Sequence, residues 1–434
     1  MDHNLIDTFL DFESQHNLDQ IEIGNRRIWA IIRFRIYNII IQKKFNTLVN
    51  HPKQGTGESI LTIFKWLPLS IIFYPFIPTK KKTIIFNHPR KILFKGDYIC
   101  KYTEHLSNDE SCVLEAPFNN GHLKSKHAKN RYYLDLVLHC SRLYSLFRGY
   151  LPLRKEDQKK LLQLQKKVED EFNLELPKFK NFTRTLLHKH VAITFFANRI
   201  LKRIDPEELI MTVSYSDINL AFVEAAKLND IKVIEVQHGI IDKGHVAYNF
   251  SSTALPFWFP DEFWVWSNFW RENSKLPSNS KIFVKGFPFL ERYKNQSVVQ
   301  KEKNTILIIS QGPFAETLCQ VATQLHEIYS NNGLKVVFKP HPSEVAGNPE
   351  YIKQLKRIGV QISYANNIYD LYNESKCVIG VNSTALFESA EFGVKTFVLK
   401  VSRWEMFSNV PNVQLIDDTK EVISWLQTKN DSKE

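Results

Sequence analysis

The sequence lacks the motifs that mark the commonest nucleotide-binding and metal-binding proteins. It contains neither a GxGxxG fingerprint nor a Walker motif, which excludes the usual dinucleotide-binding and P-loop interpretations. Its five cysteines are scattered, odd in number and without metal-ligand spacing, so we expect free thiols and neither a zinc site nor a disulfide framework. Residues 1–17 contain no basic segment leading into an apolar run, and we therefore expect no signal peptide.

Length and composition indicate a folded protein of two large domains. A chain of 434 residues is too long for one ordinary hydrophobic core. A hydrophobic content of 43% and a charged content of 24% are typical of globular proteins. The net charge of +11 permits nucleic acid, anionic lipid or phosphorylated substrates as partners. Because the charged stretch 156–172 is typical of a solvated helix, we expect no nucleic-acid partner.

Residues 59–78 are strongly apolar and nearly long enough to cross a bilayer. Lys65 and Pro68 interrupt the stretch, and three lysines follow it at residues 80–82. The pattern favours a surface-lying hairpin between two basic segments, which would contact an anionic membrane. A normal core helix followed by a loop is the alternative, and a transmembrane helix is the least favoured interpretation.

The stretch 375–400 predicts a strand–helix–strand unit. Residues 377–381 and 396–399 are apolar runs typical of strands buried on both faces. Residues 382–384 are good helix N-cap residues, and Gly393 suits the helix end. A helix N-terminus that follows a parallel strand forms an anion site. The alternative is that these residues only cap a helix.

From residue 83 onward, apolar strands alternate with helices in two series, which predicts two tandem Rossmann-like domains facing a central cleft. The predicted parts are a helical basic and apolar region 1–82, an acceptor domain 83–292, a polar linker 293–304 and a six-stranded nucleotide-donor domain 305–434. Three short motifs end strands of these domains and are expected at the cleft: Gln237-His238-Gly239, Lys339-Pro340-His341-Pro342 and Asn382-Ser383-Thr384.

These motifs resemble those of the GT-B glycosyltransferases of bacterial capsule and surface-polysaccharide biosynthesis. The resemblance is to families with a KPHP or HP motif and an S-S or S-T motif. They include Kdo- and sialic-acid-type transferases that use CMP-sugars, and teichoic-acid-type transferases that use CDP-glycerol. The resemblance covers about residue 83 to the end of the chain. It implies an α/β GT-B fold with a helical N-terminal extension.

By this resemblance, His341 contacts the donor phosphate and protonates it as it leaves, and Ser383 and Thr384 bind the same phosphate. Glu388, one helical turn beyond Thr384, stands where related enzymes place a ribose-binding carboxylate. His238 resembles the general base of the HG motif in teichoic-acid-type enzymes. The D/E-D/E-G base motif of sialyltransferases is absent and QHG stands instead, which weighs against sialic acid as the donor sugar.

Glycosyl transfer requires a base near the acceptor hydroxyl, which contributes about 10²–10⁴-fold, and N–H-rich or positive groups around the phosphate. An imidazole with its unperturbed pKa near 6.5 can accept a proton at neutral pH. The other predicted site residues are Lys339 and Gly312 on the donor side, Gln237, Gly239, His88 and Arg90 on the acceptor side, and Asp242 as a catalytic residue. Asp217 and His245 are alternative bases. His341 is alternatively a rigid turn residue, and His238 alternatively ends a strand.

No DxD motif lies in a predicted loop, because Asp11-Phe12-Glu13 falls in the helical N-terminus. We therefore expect no metal and no cofactor, with a nucleotide-activated sugar as the substrate. The predicted function is a cytoplasmic glycosyltransferase, peripheral on the inner face of the membrane, that extends a cell-surface polysaccharide or a lipid-linked glycan. A CMP-sugar is the favoured donor. The alternatives are a CDP-glycerol- or ribitol-type polyol-phosphate transferase, a UDP-sugar 2-epimerase-like enzyme, and a non-catalytic binding protein.

Overall fold

The chain divides into two compact units that are described separately. The N-terminal unit comprises Asp2–Lys91 and Lys95–Gly286, and the C-terminal unit comprises Phe287–Glu434 with Ile92–Phe94. The computed structural model describes residues 3–45, 80–118, 121–123, 125, 130–149, 153–251, 256–274, 276–277, 280–296, 303–341, 344, 349–365, 367–402 and 404–431. The apolar stretch 59–78, residues 297–302 of the predicted linker and Pro342 lie outside these ranges.

The N-terminal unit begins with two helices around a short antiparallel hairpin. These elements are α1 (His3–Gln15), β1 (Glu22–Ile23), β2 (Arg26–Arg27) and α2 (Ile28–Phe45). The later helices of the unit are α3 (Asp135–Gly149), α4 (Lys155–Phe172), α5 (Phe179–Ile204), α6 (Asp217–Lys227) and α7 (Asn268–Glu272). Side chains of α1 and α2 share one hydrophobic core with α4 and α5. The region predicted as separate, 1–82, therefore belongs, in its described part, to the same unit as the first sheet.

The helix α2 is a core helix although its sequence contains several basic residues. Ile28, Ile32, Ile36 and Ile40 are all 0% exposed. Arg33 is 3% exposed and is paired with Glu13. Burial of an arginine requires such a partner, so this cation serves the fold.

A seven-stranded parallel sheet forms the centre of the N-terminal unit. The strands that follow β2 are β3 (Thr83–Phe86), β4 (Ile92–Phe94), β5 (Asp97–Ile99), β6 (Ser111–Glu115), β7 (Arg131–Tyr133), β8 (Glu208–Met211), β9 (Lys232–Val236), β10 (Glu262–Val265) and β11 (Lys281–Val284). The sheet order is β11-β10-β9-β8-β3-β6-β7, without β4 and β5. The strand order therefore reverses between β3 and β8, which is a topological switch point.

The C-terminal unit contains a six-stranded parallel sheet, as predicted. Its strands are β12 (Thr305–Ile309), β13 (Lys335–Lys339), β14 (Gln361–Ile362), β15 (Ser375–Gly380), β16 (Lys395–Leu399) and β17 (Val413–Ile416). The order β14-β13-β12-β15-β16-β17 is the 3-2-1-4-5-6 order of the Rossmann fold. The two predicted Rossmann-like domains are therefore confirmed.

The helices of the C-terminal unit allow two further sequence predictions to be compared with the structure. They are α8 (Pro288–Gln296), α9 (Ala315–Tyr329), α10 (Glu350–Arg357), α11 (Ile368–Glu374), α12 (Thr384–Glu391) and α13 (Thr419–Asp431). The predicted strand–helix–strand unit is confirmed as β15, α12 and β16, and Gly393 has the expected left-handed conformation, with φ +88°. The start of the predicted linker, residues 293–296, is instead the end of α8, because Leu290 and Tyr293 are buried.

Across the described ranges, no helix combines the length and apolar character needed to span a bilayer.

Candidate functional site

The first candidate site lies at the carboxyl edge of the C-terminal sheet, where β12 and β15 are neighbours. The strand order reverses between these strands, and open α/β sheets bind ligands outside such switch points. The side chain of Gln311, after β12, accepts a hydrogen bond of 3.2 Å from the backbone N–H of Asn382, after β15. The two loops are thereby joined across the switch point.

Ser383 and Thr384 begin α12 beside this junction. Ser383 has an extended backbone, and its Oγ accepts a hydrogen bond of 3.3 Å from the Ala385 N–H, which is N-cap geometry. A Cβ atom at Gly380 would lie 3.0 Å from the Leu386 side chain, so glycine allows the strand end to approach the helix closely. The predicted hydroxyl pair therefore lies at a helix N-terminus, and Ser383 caps that helix.

A buried carboxylate holds the loop that carries His341. Glu344 is 8% exposed and accepts hydrogen bonds from the His341 backbone N–H at 2.6 Å and from the Ser310 hydroxyl at 2.9 Å. The Tyr351 hydroxyl also donates to Glu344. Gly312 lies on the same edge, since a Cβ there would be 4.0 Å from Glu344. The loops after β12 and β13 are thus tied together, which places His341 and Gly312 on one edge.

Two residues predicted to bind the donor are engaged within the protein. The Lys339 ammonium donates to the Ala365 carbonyl at 2.8 Å, and burial lowers its pKa. Glu388 is 4% exposed and accepts a hydrogen bond of 2.6 Å from the Tyr369 hydroxyl. Glu388 therefore departs from the predicted ribose-binding role, because its carboxylate is buried against Tyr369.

The second candidate site lies at the carboxyl edge of the N-terminal sheet, beside the switch point between β3 and β8. Asn87 directly follows β3, is 4% exposed and donates to Glu115 at 3.0 Å. Glu115 also pairs with Lys91 at 2.7 Å and with Arg131 at 3.0 Å. This buried charged group fixes the start of the loop that carries the half-buried His88.

His238 follows β9 on the same edge and lies beside His88, with ring centroids 5.9 Å apart. Its Nδ1 is 3.4 Å from the Tyr248 hydroxyl, which donates in turn to Glu235 at 2.7 Å. Because Tyr248 gives its proton to Glu235, its oxygen accepts from the Nδ1–H of His238. That tautomer leaves the lone pair of the imidazole on Nε2, the form that a general base requires.

The surroundings keep both histidines neutral. Burial lowers the pKa of His238 well below 6.5, and the positive charges of Arg90 and Lys101 lower it further. Burial also lowers the pKa of His88 to about 4, with the same two cations contributing. The expectation of an ordinary pKa for His238 is therefore wrong. Its neutral ring accepts a proton at neutral pH, but as a weaker base than the sequence predicts.

The alternative bases are placed less favourably. Burial would raise the pKa of Asp217, but Lys189 and Arg35, each 2.7 Å away, outweigh it and the pKa is lowered. Such a carboxylate has little tendency to take a proton. Asp242 is 6% exposed. The His245 ring lies 3.4 Å from the Tyr215 hydroxyl, within the same aromatic surroundings as His238.

Gln237 and Gly239 support the loop that presents His238. Gln237 is 0% exposed, accepts from the Trp266 N–H at 2.9 Å and donates to the Gly239 carbonyl at 2.9 Å. Both ends of the Gln237 side-chain amide thus form hydrogen bonds to the backbone. This placement does not fit the predicted contact of Gln237 with the acceptor substrate. Arg90 is exposed and its guanidinium lies 5.8 Å above the Phe118 ring.

Sequence reasoning missed the residues that support the two motif histidines. Glu235 lies in a strand buried on both faces, and a carboxylate there requires a partner, which was a usable signal. Burial raises the pKa of Glu235 to about 7, and hydrogen bonds from Ser214 and Tyr248 offset only part of this effect. Glu344 follows the KPHP motif closely but carries no pattern that predicts its burial.

No family model and no curated protein matches the chain. Among solved structures, a putative UDP-N-acetylglucosamine 2-epimerase from Listeria monocytogenes is 14% identical, covers 82% of this chain and 89% of its own, and has a TM-score of 0.49. The UDP-GlcNAc 2-epimerase from Methanocaldococcus jannaschii is 12% identical over 80% and 92% of the two chains, with a TM-score of 0.47. MurG from Acinetobacter baumannii is 12% identical over 80% and 90%, with a TM-score of 0.41. These are distant similarities in fold.

Proposed function

We propose that this chain is a metal-independent glycosyltransferase that uses a nucleotide-activated sugar and extends a cell-surface or lipid-linked glycan. The observation that carries the proposal is the hydrogen bond between Gln311 and Asn382 across the β12/β15 switch point. It joins two loops at the place where a Rossmann-type sheet binds nucleotides. The His341 loop is tied to the same edge through Glu344.

The donor phosphate would bind at the N-terminus of α12. Backbone N–H groups and the helix dipole favour an anion there, and Thr384, a partly exposed residue, stands at the first helical position. Charge grows on the phosphate as the glycosidic bond breaks, so these groups, with His341, stabilise the transition state more than the ground state. The nucleotide leaves as the sugar's anomeric carbon bonds to the acceptor oxygen.

The acceptor proton would pass to Nε2 of His238. Its tautomer is fixed through Tyr248, and its neutral form is present at neutral pH because its pKa is lowered by burial. The alternative 2-epimerase chemistry calls for accessible carboxylates near the base. The carboxylate nearest in the hydrogen-bond chain, Glu235, is 0% exposed, and this favours transfer over epimerisation.

Thermal unfolding with CMP, CDP, UDP and GDP, each with and without a chelator, tests the nucleotide half of the proposal. A ligand at 100 times its Kd adds about 2.7 kcal/mol of stability, which raises the Tm by roughly 5 °C for a large domain. We expect a cytidine nucleotide to give the largest rise, unaffected by the chelator. The nucleotide that raises the Tm most indicates the type of donor. A larger rise with CDP than with CMP would favour polyol-phosphate transfer. No rise with any nucleotide contradicts the proposed function.

A double variant, Ser383→Ala with Thr384→Ala, tests the location of the phosphate. Loss of the N-cap lowers the Tm of the ligand-free chain, since a cap contributes about 1 kcal/mol. Ser216→Ala is a matched control, because Ser216 caps α6 in the N-terminal unit with a hydrogen bond of the same length, 3.3 Å. The nucleotide-induced rise should vanish in the double variant and persist in the control. An unchanged rise in the double variant places the phosphate elsewhere.

A further inference from the structure

Basic side chains surround His238 at the carboxyl edge of the N-terminal sheet, and the proposed proton transfer uses His238 alone. The His88 ring lies 5.9 Å from the His238 ring, centroid to centroid, with the two planes inclined by 21°. The Tyr102 ring contacts both, at 5.7 Å and 6.3 Å. Arg90 and Lys101 are close enough for their charges to lower the pKa of both histidines. A substrate that reaches His238 therefore also meets these cations.

His88 presents a hydrogen-bond donor where His238 presents an acceptor. The Arg90 backbone N–H donates to His88 Nδ1 at 3.2 Å, whereas the Arg90 carbonyl oxygen lies farther away, at 3.4 Å. Because an N–H group only donates, Nδ1 of the neutral His88 ring is the acceptor and Nε2 carries the proton. His88 Nε2 forms no hydrogen bond within the described part of the chain, and it is not a buried atom. Its N–H is thus open to a ligand oxygen.

Arg90 carries a positive charge that its surroundings do not neutralise. The residue is exposed, its guanidinium lies 5.8 Å above the Phe118 ring, and no carboxylate in the described ranges pairs with it. Glu115, which fixes the start of this loop, is already paired with two buried cations, Lys91 and Arg131. An accessible guanidinium of this kind is suited to bind a carboxylate or a phosphate.

The electrostatic potential at the two histidines is positive. The charges of Arg90 and Lys101 lower the pKa of His238 and of His88, so neighbouring carboxylates do not cancel them. Glu235 is only partly ionised at neutral pH, because burial raises its pKa to about 7. A positive potential beside hydrogen-bond donors concentrates anions. The ligand that fits this part of the site therefore carries a negative charge.

We propose that His88, Arg90 and Lys101 bind an anionic group, a carboxylate or a phosphate, on the substrate whose hydroxyl His238 deprotonates. Oxygen atoms of that group accept from His88 Nε2–H and from the Arg90 guanidinium, and Lys101 contributes its charge. The 5.9 Å between the two imidazole rings places the anionic group and the reacting hydroxyl on one sugar ring or on adjacent units. The assignment of the anion to the acceptor rests on the proposed function, whereas the binding of the anion does not.

Saturation-transfer NMR on the full chain, without nucleotide, tests the proposal with three probes. Glucuronate and glycerol 3-phosphate carry the two kinds of anion, and glucose is the neutral counterpart of glucuronate. We expect saturable binding of at least one anionic probe and no binding of glucose at the same concentration. The anionic probe that binds more tightly identifies the group as a sugar carboxylate or a phosphate ester.

Two variants and a matched control locate the bound anion. Arg90→Gln removes the charge at an exposed position and should weaken binding by about tenfold or more, as for one lost charge-assisted hydrogen bond. His88→Phe keeps a ring, removes the donor and should also weaken binding. Arg199→Gln is the control, because Arg199 is exposed in the same unit with its guanidinium 4.2 Å above the Phe195 ring. Binding should be unchanged in this control.

The Ser383→Ala, Thr384→Ala double variant separates this site from the donor phosphate site proposed at α12. Anion binding should persist in the double variant, and its loss there would overturn the proposal by placing the anion at α12. The proposal also fails if neither anionic probe binds, if glucose binds as tightly as glucuronate, or if Arg90→Gln binds like wild type. Because nucleotide is absent throughout, a missing nucleotide response in thermal unfolding contradicts the proposed function and leaves this anion site standing.

Discussion

Replacing Glu235 with glutamine should change how stability depends on pH. Glu235 is 0% exposed, and burial raises its pKa from an ordinary 4.5 to about 7. A folded-state pKa above the unfolded value means that the folded state holds more protons between the two values. The free energy of unfolding therefore falls as the pH rises from about 4.5 to 7, and it levels off above that.

The magnitude follows from the two pKa values. One pKa unit corresponds to about 1.4 kcal/mol, so ionising Glu235 removes about 3 kcal/mol of stability between pH 4.5 and 7. Glutamine cannot ionise, yet its carbonyl oxygen still accepts the hydrogen bond that Tyr248 donates. The variant should therefore gain about 3 kcal/mol relative to wild type between pH 5 and pH 8. At roughly 2 °C per kcal/mol for a large domain, this is a relative rise in Tm of about 6 °C.

Scanning calorimetry of both proteins at half-unit steps from pH 5 to 8 measures the difference directly. Asp217→Asn is the control, because Lys189 and Arg35, each 2.7 Å away, outweigh burial and hold the pKa of Asp217 below its ordinary value. Its contribution is fully present above the unfolded pKa and is lost only at lower pH, so this variant should show a constant offset. Parallel curves for wild type and Glu235→Gln would refute the raised pKa and the burial that causes it.

Three further predictions concern the sites and the surface. His238→Ala should lower turnover by about 10²–10⁴-fold and leave nucleotide affinity intact, whereas Asp242→Asn should have a much milder effect. The acid limb of the wild-type kcat/KM profile should lie well below pH 6.5. If His238→Ala keeps a tenth of wild-type turnover, His238 is not the base. Glu115→Gln should cost about 3–5 kcal/mol in chemical denaturation, because it leaves the buried Lys91 without its carboxylate and Arg131 with Glu104 alone, at 3.5 Å. A loss below about 1 kcal/mol would contradict that pairing. Residues 26–95 are predicted to bind anionic liposomes in sedimentation, more with more anionic lipid and less with salt, and equal recovery in every supernatant would count against it.

Much of the fold was predictable because a strand that is buried on both faces of a sheet appears in the sequence as a short apolar run. Runs such as Thr305–Ile309 and Lys232–Val236 contain too few polar residues for an exposed strand, and a parallel sheet explains them. The start of α12 was equally clear, since Ser383 offers a capping hydroxyl immediately before a helical pattern. Local chemistry of this kind acts over a few residues and is visible without the fold.

The partners of the site residues were not predictable because they come from distant parts of the chain. Helical spacing places Glu388 near Thr384, but it does not show that Tyr369 lies opposite the carboxylate. Arg33 lies among other basic residues of α2, and nothing in that local sequence shows that it is buried against Glu13. In both cases a charged residue faces inward, and only the tertiary structure supplies the group that makes this tolerable.

The two motif histidines are each supported by a buried carboxylate, but the two carboxylates differ in what surrounds them. Glu344 accepts a backbone N–H and two hydroxyls, so its charge is well satisfied and the His341 loop is held firmly. Glu235 is more deeply buried, its Oε2 has no hydrogen-bond partner in the described part of the chain, and its pKa rises to about 7. The support of His238 therefore changes charge near neutral pH. Because Tyr248 links the two groups, ionisation of Glu235 strengthens the hydrogen bond that fixes the Nδ1–H tautomer of His238. A base held in this way is best oriented on the alkaline side of neutrality, where the stability that a protonated Glu235 provides has already been lost.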